Sequence, residues 1–137
     1  VIMNLKQSLI IAVDFDGTIV EDAYPAIGKP KLFAFDTLKK LQNEGHRLIL
    51  WTYRSGKKLE EAVQFCESNG INFYAINASY EDEEIDSEKS RKIHADIFID
   101  DRNVGGFIGW GNVHQLILNQ EIANRQTKGI FSFLKKR

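Results

Sequence analysis

Residues 9–13 (LIIAV) form an unbroken apolar run that opens directly onto Asp14-Phe15-Asp16-Gly17-Thr18. A short apolar run that stops at a turn signal reads as a strand buried on both faces, as in a parallel sheet covered by other layers. Side chains alternate along a strand, so Asp14 and Asp16 are expected on the same side of the chain. Two carboxylates together at the end of a buried strand repel each other and resist losing their water. A fold keeps such a pair if a cation neutralises it or if one member holds its proton. Both conditions point to chemistry rather than architecture.

The rest of the chain alternates between strand and helix patterns. Residues 17–30 hold several glycines and prolines without a period and are read as a loop or small hairpin flap. Residues 31–44 carry apolar side chains at 34, 35, 38 and 41, a helical spacing that Gly45 can stop. A second strand is expected over 46–51 (HRLILW), then a helix over 57–69 with Leu59, Ala62, Val63 and Cys66 on one face, ending before Gly70. A third strand is expected over 71–76, an acidic loop over 79–88, and a fourth strand over 95–99 (ADIFI) running into Asp100-Asp101. Residues 113–123 read as a last helix with Val113, Leu116, Ile117 and Ala123 as its buried face, and residues 129–137 as an edge element or tail. Strands separated by helices predict one Rossmann-like three-layer α/β sandwich around a central parallel sheet, spanning residues 1–137 as a single domain.

Charge is balanced, with 18 Lys+Arg against 19 Asp+Glu, which gives no support to general nucleic-acid or membrane affinity. The one cysteine, Cys66, excludes an internal disulfide and fits a reducing compartment. No apolar run approaches the ~20 residues that span a bilayer, so a cytoplasmic location is expected. Cys66 lies on the apolar face of its helix and is expected to be a buried thiol. His46, His94 and His114 lack metal-ligand spacing and are read as structural; Trp51 and Trp110 are read as packing residues.

In a parallel α/β sheet, function sits at the carboxyl ends of the strands. Asp14 and Asp16, Thr52-Tyr53-Arg54 and Asp100-Asp101 all fall there. Four carboxylates in one place call for a hard cation with oxygen ligands, which magnesium suits, often with phosphate oxygens completing its shell. A carboxylate sharing that cation with a phosphate can attack phosphorus and form an acyl phosphate. A neighbouring carboxyl can protonate the leaving oxygen and later take a proton from water. The turn at Phe15 offers backbone N–H groups to a phosphoryl oxygen, and Thr52 offers a hydroxyl. Tyr53 and Arg54 extend that phosphate- and substrate-binding set, with Arg54 placed to grip a second anionic group. Tyr24, Ile27 and Lys29 are the candidate substrate contacts in the flap.

The order DFDGTIV, a strand ending in Thr52, Lys92 and then IFIDD resembles the haloacid dehalogenase (HAD) superfamily of phosphohydrolases, over roughly residues 9–111. The resemblance implies a HAD-like fold and a magnesium-dependent phosphatase that hydrolyses a phosphomonoester through an aspartyl-phosphate. It implies Asp14 as nucleophile and metal ligand, and Asp16 as general acid/base with its backbone carbonyl on the metal. It implies Thr52 as the phosphate-binding hydroxyl and Lys92 as the lysine tying phosphate to nucleophile, with Lys89 and Arg91 as competitors. Asp100 would ligate the metal directly, and Asp101 would act through a metal-bound water or by orienting Lys92. Dehalogenases of the superfamily lack the second aspartate and its ion pumps carry threonine there, so Asp16 favours phosphoryl transfer to water. Neither interval where members carry a cap has room for one here. The open site this implies suits a phosphorylated small molecule, with a phosphorylated macromolecule as the other option. The flap or a second subunit of a homo-oligomer would cover it. Two other classes compete: a phosphorylatable receiver-like signalling module and a catalytically idle binding scaffold.

Overall fold

A computed structural model describes residues 8–119 of the chain. The elements run β1 (Ile10–Val13), α1 (Ala34–Asn43), β2 (Arg47–Leu50), α2 (Gly56–Ser68), β3 (Ala75–Ile76) and β4 (Ile97–Ile99), followed by a helix that includes residues 110–119. The four strands form one parallel sheet in the order β3-β2-β1-β4. The expected Rossmann-like α/β sandwich is thus present. Residues 120–137, which include the end of the last expected helix and the expected C-terminal tail, lie outside the described residues.

The register shows why these strands bury both faces. Ile11 stands beside Leu48 and Ile97, and Val13 beside Leu50 and Ile99, so these side chains share one face. That face packs against Leu38 and Leu41 of α1, Ala62 and Cys66 of α2, and Trp110, Val113 and Ile117 of the third helix. Ala12, Ile49 and Ala75 form the other face, where Ile93, Ala78 and Ala95 cover them. This second covering layer is the irregular chain between β3 and β4, not a helix. The side it takes follows from handedness. Two crossovers running one way along the sheet put α1 and α2 on the same face, and the return from β3 past β1 to β4 must cross the opposite face.

Local chemistry sets the element ends. Gly45 has φ 93°, and the bonds Gly45 N–H to Gln42 O (3.1 Å) and His46 N–H to Leu41 O (3.1 Å) close α1 with a Schellman turn. α2 closes the same way after Asn69, through Ile71 N–H to Cys66 O at 3.0 Å. The third helix turns Trp110, Val113 and Ile117 inward, an i, i+3, i+7 stripe, whereas Leu116 is 53% exposed. Leu116 therefore does not belong to the buried face expected of it; the stripe begins one turn earlier, at Trp110. β3 is two residues long, shorter than its apolar pattern over 71–76 suggests, because Asn72 and Phe73 make no ladder before Ala75. The flap is a hairpin: Glu21 N–H bonds Lys29 O at 2.8 Å and Lys31 N–H bonds Ile19 O at 2.9 Å. Among the described residues, neither the flap nor the chain between β3 and β4 holds a separate folded unit.

Trp110 ties the third helix to the turn after β1. Its Nε1–H donates to Thr18 O at 2.7 Å inside the core. Trp110→Phe keeps the ring's bulk in part but leaves that carbonyl without its donor. We expect a loss of about 2 kcal/mol, read as a lower urea midpoint at unchanged m-value.

Candidate active site

The chain runs from β1 to β2 to β3 in one direction along the sheet and returns to place β4 on the far side of β1. The crevice beyond the carboxyl ends of β1 and β4 is therefore the topological switch point, where open α/β sheets hold their ligands. Asp14 follows β1 and Asp100-Asp101 follow β4, and Asp14 N–H bonds Ile99 O at 3.0 Å, which fixes the two ends side by side. One carboxylate oxygen from each of Asp14, Asp100 and Asp101 lies within 4.8 Å of the others.

Gly17 makes this approach possible. Its φ is 84°, and a Cβ there would fall inside the Asp101 carboxylate. The Phe15 carbonyl accepts from the N–H groups of Thr18, Ile19 and Val20 at 2.9–3.2 Å, a tight turn that only a left-handed residue can continue. Thr18, fully buried, donates its hydroxyl to Asp14 Oδ2 at 3.2 Å, and the Phe15 N–H also bonds the Asp14 carboxylate. Asp100 Oδ1 accepts from Arg102 N–H at 2.8 Å. Asp101 Oδ1 is buried and has no hydrogen-bond partner among the described residues. An unmatched buried acceptor on a carboxylate that meets two others fits a site for a divalent cation among Asp14, Asp100 and Asp101. Without a cation, Asp14 is pushed up from 3.8 to about 7, first by burial, then by the Asp100 charge and by its hydrogen bond to Asp101.

Asp16 has a different partner. Arg54 meets it with a two-point fork, Nε to Oδ2 at 2.8 Å and Nη2 to Oδ1 at 2.7 Å. The same guanidinium donates to Pro25 O at 3.2 Å and Ala26 O at 2.8 Å and lies over the Phe15 and Tyr24 rings. Arg54 is 1% exposed and its own pKa is raised, chiefly by the Asp16 hydrogen bonds. It links the end of β2, the Asp16 turn and the flap. The fork leaves one lone pair on each Asp16 oxygen for other partners.

A cavity of about 650 Å³ opens over these groups, lined by Asp14, Asp16, Asp22, Tyr24, Trp51, Thr52, Tyr53, Asp100 and Arg102. Thr52 is held by Asn77, whose Oδ1 accepts the Thr52 N–H at 2.8 Å. The Thr52 hydroxyl accepts from Arg54 N–H at 3.2 Å and keeps its own proton to donate.

No protein-family model matches the chain, and no curated protein matches it. It is similar to a conserved protein of Bacteroides thetaiotaomicron with a solved structure, at 52% identity and TM-score 0.79, over 83% of this chain and 93% of that one. The chain belongs to the family of that conserved protein. The relative's structure carries no activity with it, so the chemistry rests on this site.

Most residues singled out from the sequence meet at the cavity: Asp14, Asp16, Thr52, Tyr53 and Asp100 line it, and Asp101 completes the acidic cluster. Three residues stand otherwise than expected. Arg54, expected to grip a second anionic group, is buried with its fork filled by Asp16. Phe15 contributes its backbone N–H to Asp14, while its ring lies in the core against Phe65. Lys92 is exposed and absent from the cavity lining, and its competitors Lys89 and Arg91 border a small separate pocket with Glu83 and Glu84. Asp16 does not add its carboxylate to the acidic cluster; the metal contact the resemblance assigned to it was through the backbone. In the flap, Tyr24 lines the cavity, whereas Ile27 packs on the core. Trp51, read as a packing residue, packs on the second core cluster and also borders the cavity. Asp22, Asn77 and Arg102 were missed. Arg102 directly follows the paired aspartates, and that adjacency was the available signal.

Two outcomes follow. A carboxyl whose folded pKa lies above its unfolded value binds its proton more tightly when folded, so it stabilises the fold below the unfolded value and that stability is lost as pH rises. The metal-free protein should therefore lose thermal stability between about pH 4 and pH 7. Asp14→Asn should flatten that slope, in melts recorded with chelator across the range. Arg54→Ala should cost about 3 kcal/mol, because it leaves Asp16 and two flap carbonyls unmatched. A double-mutant cycle with Asp16→Asn, read by denaturant unfolding, should show the two losses to be strongly non-additive.

Proposed function

We propose that the protein is a magnesium-dependent phosphohydrolase of the haloacid dehalogenase type that hydrolyses a phosphomonoester through an aspartyl-phosphate on Asp14. The observation that carries this reading is the meeting of Asp14, Asp100 and Asp101 at the switch point, where one Asp101 oxygen is buried without a partner among the described residues. The donor set is all carboxylate oxygen, which fits magnesium. Bound there, magnesium would offset the negative charge of the cluster and of the phosphoryl group, so that the two can approach.

The chain's own groups supply the rest. Thr18 and the Phe15 N–H fix the Asp14 carboxylate, so its attacking oxygen is presented to the cavity in one orientation. An Asp14 oxygen bonds to phosphorus as the ester P–O bond breaks. Asp16, once it has taken up a proton on a lone pair that the Arg54 fork leaves free, passes that proton to the leaving oxygen. Asp16 then accepts a proton from a water that attacks phosphorus, which releases inorganic phosphate and restores the Asp14 carboxylate. Arg54 fixes the plane of the Asp16 carboxylate and so decides where its remaining lone pairs point. The Thr52 hydroxyl donates to a phosphoryl oxygen. Arg102, a cation on the cavity lining, supplies the positive charge that the resemblance assigned to Lys92.

The test is turnover by two variants with magnesium present. Asp14→Asn should lower kcat by about 10⁴-fold or more on every ester. Asp16→Asn should cost about 10²-fold or more on an alkyl phosphate and far less on nitrophenyl phosphate, whose leaving group needs no proton. Sustained turnover by Asp14→Asn would reject the covalent route. Equal losses on the two esters in Asp16→Asn would reject its acid role.

A further inference from the structure

The cavity is far larger than a phosphoryl group needs, so its remaining walls bear on what carries that group. Three aromatic side chains, Tyr24, Trp51 and Tyr53, share the lining with the acidic cluster. Tyr53 is 91% exposed, the most exposed aromatic ring among the described residues. It is nevertheless not on a loose loop. The backbone on either side is held by Thr52 N–H to Asn77 Oδ1 at 2.8 Å and by Arg54 N–H to the Thr52 hydroxyl at 3.2 Å. The edge of the Tyr53–Tyr24 pair is fixed at 6.4 Å between centroids and 71° between planes. Tyr24 is itself anchored, with the Arg54 guanidinium at 5.2 Å and the Lys58 ammonium at 5.1 Å from its ring centre. Tyr24 thus acts as the buttress, and Tyr53 borders the cavity with nearly all of its ring open to a partner. A ring held this way loses little conformational freedom when another ring stacks on it.

Charge narrows the occupant further. The lining carries the carboxylates Asp14, Asp16, Asp22 and Asp100 against Arg102. Arg54, which could have received a second anion, is spent on Asp16. A substrate with another phosphate or a carboxylate would find no further cation on the lining, because Arg102 already serves the phosphoryl group, and would face Asp22. We infer that the site takes a phosphomonoester whose alcohol carries an uncharged planar aromatic ring, stacked on Tyr53. This rests on the phosphohydrolase reading, and deepens it.

Adenosine 5′-monophosphate and ribose 5-phosphate share the same primary alkyl leaving oxygen and differ in the ring, so their comparison isolates stacking from leaving-group reactivity. With magnesium, kcat/KM for the nucleotide should exceed that for the sugar phosphate by about 10-fold or more. Tyr53→Ala should bring the ratio to within about 2-fold, and Tyr53→Phe should keep it. Binding of the same two probes to Asp14→Asn, measured by calorimetry, supplies an arm that does not depend on turnover. Equal turnover of both probes by the unaltered protein overturns the ring site and leaves the phosphohydrolase standing. Absence of turnover together with Tyr53-dependent preference for the nucleotide in binding overturns the phosphohydrolase and leaves the ring site standing. Neither turnover nor ring-dependent binding overturns both.

Discussion

The constraint that organises this molecule is the crowding of three carboxylates at the junction of β1 and β4. With oxygens within 4.8 Å of one another, two full charges repel by about 3 kcal/mol at an effective dielectric near 20. Burial adds the cost of lost hydration. Asp14 answers by holding its proton up to about pH 7, which is what a carboxyl does when no cation is at hand. The fold could have avoided the expense by moving β4 one register along or by putting a side chain at Gly17. Instead, the backbone bond from Asp14 N–H to Ile99 O locks the register, and Gly17 removes the one Cβ that would hold Asp101 away.

Two aspartates separated by one residue thereby acquire opposite surroundings. Asp14 faces carboxylates, a hydroxyl and an N–H, whereas Asp16 faces a guanidinium. Two carboxyls in one cavity are told apart by their environments, and here the separation arises from which neighbour each residue meets. β1 ends at Val13, so Asp16 lies beyond the pleat and the turn, not strand alternation, decides its direction. Both residues still line one cavity, which is the part of the alternation argument that survives.

Much of the scaffold is legible in the sequence because its determinants are local. The apolar runs of β1 and β2, the 3.6-residue spacing of α1 and α2 and their terminal glycines each act within a few residues. The convergence of Asp14 with Asp100 and Asp101 was also legible, since chain order in a parallel sheet dictates which strand ends lie together. What escaped depends on partners far apart in the chain. Arg54 looks the same in sequence whether it faces a substrate or Asp16, which is 38 positions away. Lys92 precedes β4 at a plausible spacing, but the chain there crosses the sheet with Ile93 turned inward, and the neighbouring lysine is left exposed. Asn77 carries no motif; its role comes from standing at the end of β3 beside Thr52. Leu116 was misassigned because a short helix admits two apolar stripes, and only packing against α1 selects the one containing Trp110.

The Arg54 fork also explains how the site keeps its shape. With no separate folded unit over it among the described residues, the wall opposite the sheet must come from the flap, a hairpin with few backbone bonds of its own. Arg54 gives it two more, to Pro25 and Ala26, from a guanidinium already committed to Asp16. The flap is therefore fastened to the same group that orients the second aspartate. Displacing the hairpin would pull on the carboxylate's partner, and losing the ion pair would free the hairpin. Tyr24 sits on that guanidinium and pairs with Tyr53, so the aromatic wall is tied to the same point. One buried cation thus sets the orientation of the Asp16 carboxylate and the position of the flap and aromatic wall that line the cavity.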